Sequence, residues 1–218
     1  MIHLIPEREW YVNDYLVPSM LKQGIAKKDI YLWNDTEHIG NLKSFVKSMQ
    51  ECGEYDCSGV WHLQDDIIIS HRFKELTEKL DNDEIVCGIC YKKKTDPLPN
   101  LRVEKIQMWW SFQCIRIPTW VAKGFAEWYN NYASKTTVYK NYVQDNKYDD
   151  TMFWIYIQDF CKEVKTVYNA VPNLVNHIDY LIGGSSLGYN RDFILEAHYW
   201  DYEEDIKALE KLKEDLKK

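Results

Sequence analysis

From Trp10 to Lys22 apolar residues recur at helical spacing in spite of Pro18, and Gly24 closes the run. Short apolar stretches flank that helix. HLI (His3–Ile5) reads as a first strand running into PERE, and DIYLWND (Asp29–Asp35) as a second that ends in a polar turn. LKSFVKSMQ (Leu42–Gln50) carries the next helical period and stops near Gly53. GVWHLQ, HRFKELTEKL and EIVCGICY then predict strand, helix and strand. Between Asp96 and Trp110 prolines, charges and the pair Trp109–Trp110 break the rhythm and predict an excursion over the sheet. SFQCIRI reads as a strand, PTWVAKGFAEWYNNY as a helix with Pro118 at its first turn, and DDTMFWIYIQDFC as a helix opened by Asp149 or Asp150. VKTVY is a late strand, and VPNLVNHIDYLIGGSSLG is irregular. In DYEEDIKALEKLKEDLKK, Ile206, Leu209, Leu212 and Leu216 form one narrow apolar stripe.

Strand and helix in alternation predict an α/β fold, three layers deep, in which crossover helices cover a mostly parallel sheet with a small additional antiparallel portion. At 218 residues without a repeat or low-complexity linker, one domain over residues 1–200 followed by a charged helix over 201–218 is the expected organisation.

Composition narrows the function classes. A net charge of −7 argues against a protein that works mainly by neutralising nucleic-acid backbone, although Lys92, Lys93 and Lys94 make a local basic patch. No apolar stretch is long enough for a bilayer, and MIHLIPEREW lacks a basic segment followed by a long apolar one, so a soluble, cytoplasmic chain without membrane insertion is expected. Six scattered cysteines fit reduced thiols better than a disulfide framework; Cys87 and Cys90 have zinc-like spacing, but there is no second pair.

The chemistry concentrates in WHLQDDIIISHRF. In an open α/β sheet ligands bind beyond the carboxyl ends of the strands, which is where Gln64, Asp65 and Asp66 fall. Such oxygen ligands suit Mg²⁺ or Mn²⁺, with positions left for water and substrate phosphates. The competing reading makes both acids solvated caps of the next helix.

Four features in order along the chain resemble the small phage and bacterial members of the nucleotide-sugar-dependent glycosyltransferases of the GT-A fold: Pro6-x-Arg8, WHLQDD, YDDTMFW, and VPNLVNH followed by GGSSLG. The resemblance spans residues 2–188 and implies a Rossmann-like, GT-A-like sheet. It implies transfer of a sugar, from a UDP-sugar by preference, to an acceptor hydroxyl with Mn²⁺ or Mg²⁺ and an Asp base that inverts the anomeric centre. Asp66 and His177 would hold the metal, while Asp150, with Asp149 as substitute, would be the base. Pro6, Arg8, Asp35, Gln64 and Asp65 would meet the donor, and Trp109, Trp110, Ser185 and Ser186 the acceptor. Gln64 stands where many members have an acid, which implies weaker metal dependence. For His177 a packed core histidine competes with the ligand role, and for Asp149 and Asp150 a helix cap competes with the base. The acceptor is open among a glycan, a protein, a small molecule and a hydroxymethylated DNA base. A phage-encoded member would work in its host's cytoplasm.

Two other classes stand against this expectation. A nucleotidyltransferase shares the acids and sheet, but PEREWYVND has no glycine for a phosphate loop. A non-catalytic nucleotide- or sugar-binding module would use the acids only as caps. Oligomeric state is not legible.

Overall fold

The computed structural model describes residues 2–4, 8–80, 83–89, 102–105, 112–183 and 202–217. Its strands are β1 (Ile2–Leu4), β2 (Leu32–Asn34), β3 (Gly59–Gln64), β4 (Ile67–Ile69), β5 (Ile85–Cys87), β6 (Arg102–Lys105), β7 (Cys114–Pro118), β8 (Val167–Val171) and β9 (Val175–His177). Helices are α1 (Glu9–Tyr11), α2 (Val17–Lys22), α3 (Asn41–Cys52), α4 (Phe73–Lys79), α5 (Thr119–Asn131), α6 (Lys140–Asp145), α7 (Asp149–Ile155) and α8 (Glu203–Asp215). The protein is α/β, and its main sheet among the described residues has the order β2-β1-β3-β7-β5-β8-β6.

The sheet is mixed rather than mostly parallel. β1 runs parallel to β2 and β3, and β5 parallel to β8, whereas β7 opposes both β3 and β5 and β6 opposes β8. β7 sits in the middle because the chain re-enters the sheet between two strands already laid down. β1, β2, β3, β5 and β8 therefore share one direction, and their carboxyl ends share one edge. A second, two-stranded antiparallel ribbon pairs β4 with β9, with Ile67 opposite His177.

Alternation along the central strands sends side chains to two cores. Val86 and Cys114 pack with Tyr11, Leu16 and Met20, with Phe73 and Leu76 of α4, and with Leu209 and Leu212 of α8. Ile85, Cys87, Ile115 and Ile117 face the other way, onto Phe45, Phe125 and Phe153 of α3, α5 and α7. Helices thus cover both faces.

Local chemistry explains the irregular helices. Between α1 and α2 a wider turn, Val12–Leu16, bonds the Val17 N–H back to the Val12 carbonyl five residues earlier, and the helical run so continues past Pro18. The start of α3 is capped from far away. Gly40 has φ +87°, and the N–H groups of Leu42 and Lys43 donate to the backbone and side-chain oxygens of Asn146. α8 is tied down by Asp205, 1% exposed, which accepts from Ser70 Oγ at 2.7 Å and from the His71 amide at 2.6 Å. Its stripe is only partly used: Leu209 and Leu212 are buried while Ile206 stays exposed. No helix among the described residues is long and apolar enough to cross a membrane.

Candidate active site at the carboxyl ends of the strands

β1 lies between β2 and β3, so the residues leaving these three parallel strands meet at one edge. Arg8 enters from the β1 side at the head of α1, and Asp65 and Asp66 follow β3 directly. The Arg8 Nη1 lies 2.9 Å from Asp65 Oδ1 and 3.0 Å from Asp66 Oδ2. All three are buried, at 4%, 0% and 7% exposure. A guanidinium is the base best suited to such a place, because it stays charged and presents several donors in one plane. Burial opposes the charge on Arg8, but Asp66 and Asp65 outweigh it and raise its pKa.

The β4–β9 ribbon brings in the third group. With Ile67 opposite His177, and the Ile178 N–H donating to the Asp66 carbonyl at 2.9 Å, His177 Nε2 comes to 3.2 Å from Asp66 Oδ2. Asp179 Oδ2 stands 3.7 Å from the same nitrogen. Burial alone would raise the Asp66 pKa; the neighbouring His177 and Arg8 outweigh it and hold it below the usual carboxylate range. Asp66 Oδ1 is buried and has no hydrogen bond among the described residues. Beneath the acids the Tyr11 hydroxyl donates to the Ile67 carbonyl at 2.8 Å, fixing the first residue of the ribbon to the helical run that follows Arg8.

Asp149 and Asp150 open α7 and differ in environment. Asp150 is half-buried, and its Oδ1 accepts the Thr151 N–H at 2.6 Å. Asp149 is 7% exposed; burial, then the charge of Asp150, pushes its carboxyl up to about 7, with Asp66 adding to the rise. The two carboxyls are thus driven in opposite directions, Asp66 down by its basic neighbours and Asp149 up by burial and by acidic ones.

Of the other expected contacts, Gln64 ends β3 half-buried. Asp35 follows β2, and its two oxygens accept the Ile39 and Gly40 amides, each at 3.0 Å, so the side chain shapes its own loop. Pro6, Trp109, Trp110, Ser185 and Ser186 lie outside the described residues, as do Cys90 and Lys92, Lys93 and Lys94. Sequence reasoning missed Asp179, which lies past the end of β9 in a short turn of helix where no strand or helix period marks it.

Among the described residues no group of three or more His, Cys, Asp or Glu side chains is arranged to hold a metal ion. What the edge offers a divalent cation is smaller: Asp66, with one oxygen unbonded, and the His177 imidazole. That set fits an ion that keeps open positions for water and phosphate oxygens. No protein-family model matches the chain, and neither a curated protein nor a solved structure does.

Proposed function

We propose that this protein is a metal-assisted glycosyltransferase that moves a sugar from a nucleoside-diphosphate donor, by preference a UDP-sugar, to an acceptor hydroxyl with inversion. The observation that carries the reading is the convergence of Arg8, Asp65, Asp66 and His177, all buried, at the carboxyl ends of three parallel strands. Five strands of common direction with helices on both faces support the finer reading of a Rossmann-like, GT-A-like sheet. Free thiols, four of the five described being buried, accord with a reducing cytoplasm.

Displacement at an anomeric carbon needs a base on the incoming hydroxyl and compensation of charge on the departing diphosphate. Asp149 suits the base better than Asp150. Its carboxyl, raised to about 7, ionises near neutral pH and still has the affinity to take a proton, whereas Asp150 Oδ1 is engaged with the turn of α7. In the step, Asp149 accepts the hydroxyl proton, the acceptor oxygen bonds to the anomeric carbon, and the bond to the diphosphate oxygen breaks with its electron pair. Arg8 offers its N–H groups to the phosphate oxygens. Asp66 and His177 would hold Mn²⁺ or Mg²⁺, which when bound supplies Lewis-acid compensation of the diphosphate charge. Before the donor arrives Asp65 holds Arg8 in place, and Gln64 and Asp35 lie at the edge where the nucleoside and sugar would sit.

The test is donor hydrolysis: incubation with UDP-, GDP- and dTDP-sugars, with and without Mn²⁺, followed by assay of released nucleoside diphosphate. Release from one donor, stimulated by Mn²⁺ and lost in Asp149→Asn, is the expected result. No turnover and no binding of any donor would overturn the reading.

A further inference from the structure

Arg8 stands where a cation would otherwise be needed. Its Nη1 bridges Asp65 Oδ1 and Asp66 Oδ2, and the same Asp66 Oδ2 is the oxygen nearest His177 Nε2. Asp66 Oδ1 is left buried without a hydrogen bond among the described residues. The guanidinium therefore meets one oxygen of each acid and leaves Asp66 Oδ1 as the oxygen without a donor among the described residues. Asp179, 3% exposed, brings a third acid to the cluster, with its Oδ2 3.7 Å from His177 Nε2. A divalent cation arriving at Asp66 Oδ1 would meet the guanidinium about one ion-pair distance from Asp66.

We propose that Arg8 is an internal counter-ion: in the free protein it holds Asp65 and Asp66, and a divalent cation arriving with a diphosphate displaces it from the acids onto the phosphate oxygens. This rests on the reading of the edge as a donor-diphosphate site. The exchange is chemically balanced, since two carboxylates trade one cation for another and the released guanidinium pairs with the anion the metal brings. It also answers why two adjacent acids tolerate burial after a strand: their compensation is carried within the chain, 57 residues from Asp65. Arg8 then has opposite effects on the two ligands. It opposes the metal alone and favours the metal with a diphosphate, a signature that a purely structural ion pair lacks.

The experiment measures Mn²⁺ alone by electron paramagnetic resonance, and UDP in saturating Mn²⁺ by calorimetry, on the full chain and on Arg8→Gln. Removing a unit positive charge a few ångströms from the ion should tighten Mn²⁺ at least about tenfold. UDP should weaken by about tenfold or more as the guanidinium contact is lost. Without Mn²⁺ the Arg8→Gln protein should melt about 10 °C lower, because its acids lose their partner, and millimolar Mn²⁺ should restore about 5 °C or more of that loss. If Arg8→Gln fails to fold, the double variant Arg8→Gln with Asp65→Asn removes one acid with the base, and it should still bind Mn²⁺ more tightly than the parent. Equal or weaker Mn²⁺ binding in these variants, with Asp66→Asn abolishing it in the parent, would overturn the counter-ion and leave the cation site standing. Absence of Mn²⁺ binding in every variant would overturn the counter-ion, while donor hydrolysis independently judges the transferase reading.

Discussion

Asp149→Asn separates the proton held by Asp149 from everything else at the site. Its carboxyl is raised from 3.8 to about 7 in the folded protein, first by burial and then by Asp150. Below about pH 4 the group is protonated in both folded and unfolded chains and contributes nothing that depends on pH. Between about 4 and 7 the unfolded chain gives up this proton and the folded one keeps it, so stability falls by about 1.4 kcal/mol per pH unit. Above about 7 both forms are ionised and the loss levels off at about 4 kcal/mol. An asparagine cannot ionise, so the stability of Asp149→Asn relative to the parent should rise from pH 4 to pH 7 and then stay flat. Urea denaturation followed by tryptophan fluorescence at several pH values measures it. A stability difference that is constant from pH 4 to pH 8 would refute the assignment of a retained proton to Asp149. The same reasoning places the rising limb of activity near pH 7, since the base works only when ionised.

Two further substitutions probe the frame around the site. Asp205→Ala leaves Ser70 Oγ and the His71 amide without their acceptor and should cost about 3 kcal/mol, with hydrogen exchange rising first in α8; an unchanged exchange pattern there would show that the helix is held by Leu209 and Leu212 alone. Asn146→Ala removes the oxygen that caps Lys43 at the start of α3 and should cost about 1 kcal/mol in urea melts, whereas a neutral result would mean water replaces the cap.

Much of the fold was legible where a period repeats. α3, α5 and α8 are 12 or 13 residues long and carry clear apolar faces, and GVWHLQ and CIRIP are compact apolar runs between polar turns. The ribbon was not legible, because three residues each in β4 and β9 give no period, and IIIS reads equally well as a core anchor. Strand direction is not written in hydropathy, so the antiparallel β7 between β3 and β5 emerged only from the register. At the site, Gln64, Asp65 and Asp66 were visible as acids and amide at a strand end, and His177 as a polar residue in an apolar run. The pairing of Arg8 with both acids was not, since ion pairs between distant segments leave no local pattern. Nor could adjacency decide between Asp149 and Asp150. One turn of α7 buries the first and leaves the second half-exposed.

On the proposed function, the acids at the edge of the sheet receive a metal-bound diphosphate. Calorimetric titration of UDP into the parent protein and Asp66→Asn, each with and without Mn²⁺, tests it most directly. Binding in the parent that is strengthened by Mn²⁺, and a loss of about tenfold or more in Asp66→Asn together with its Mn²⁺ dependence, is the predicted result. Equal UDP affinity in both proteins, indifferent to Mn²⁺, would contradict the account.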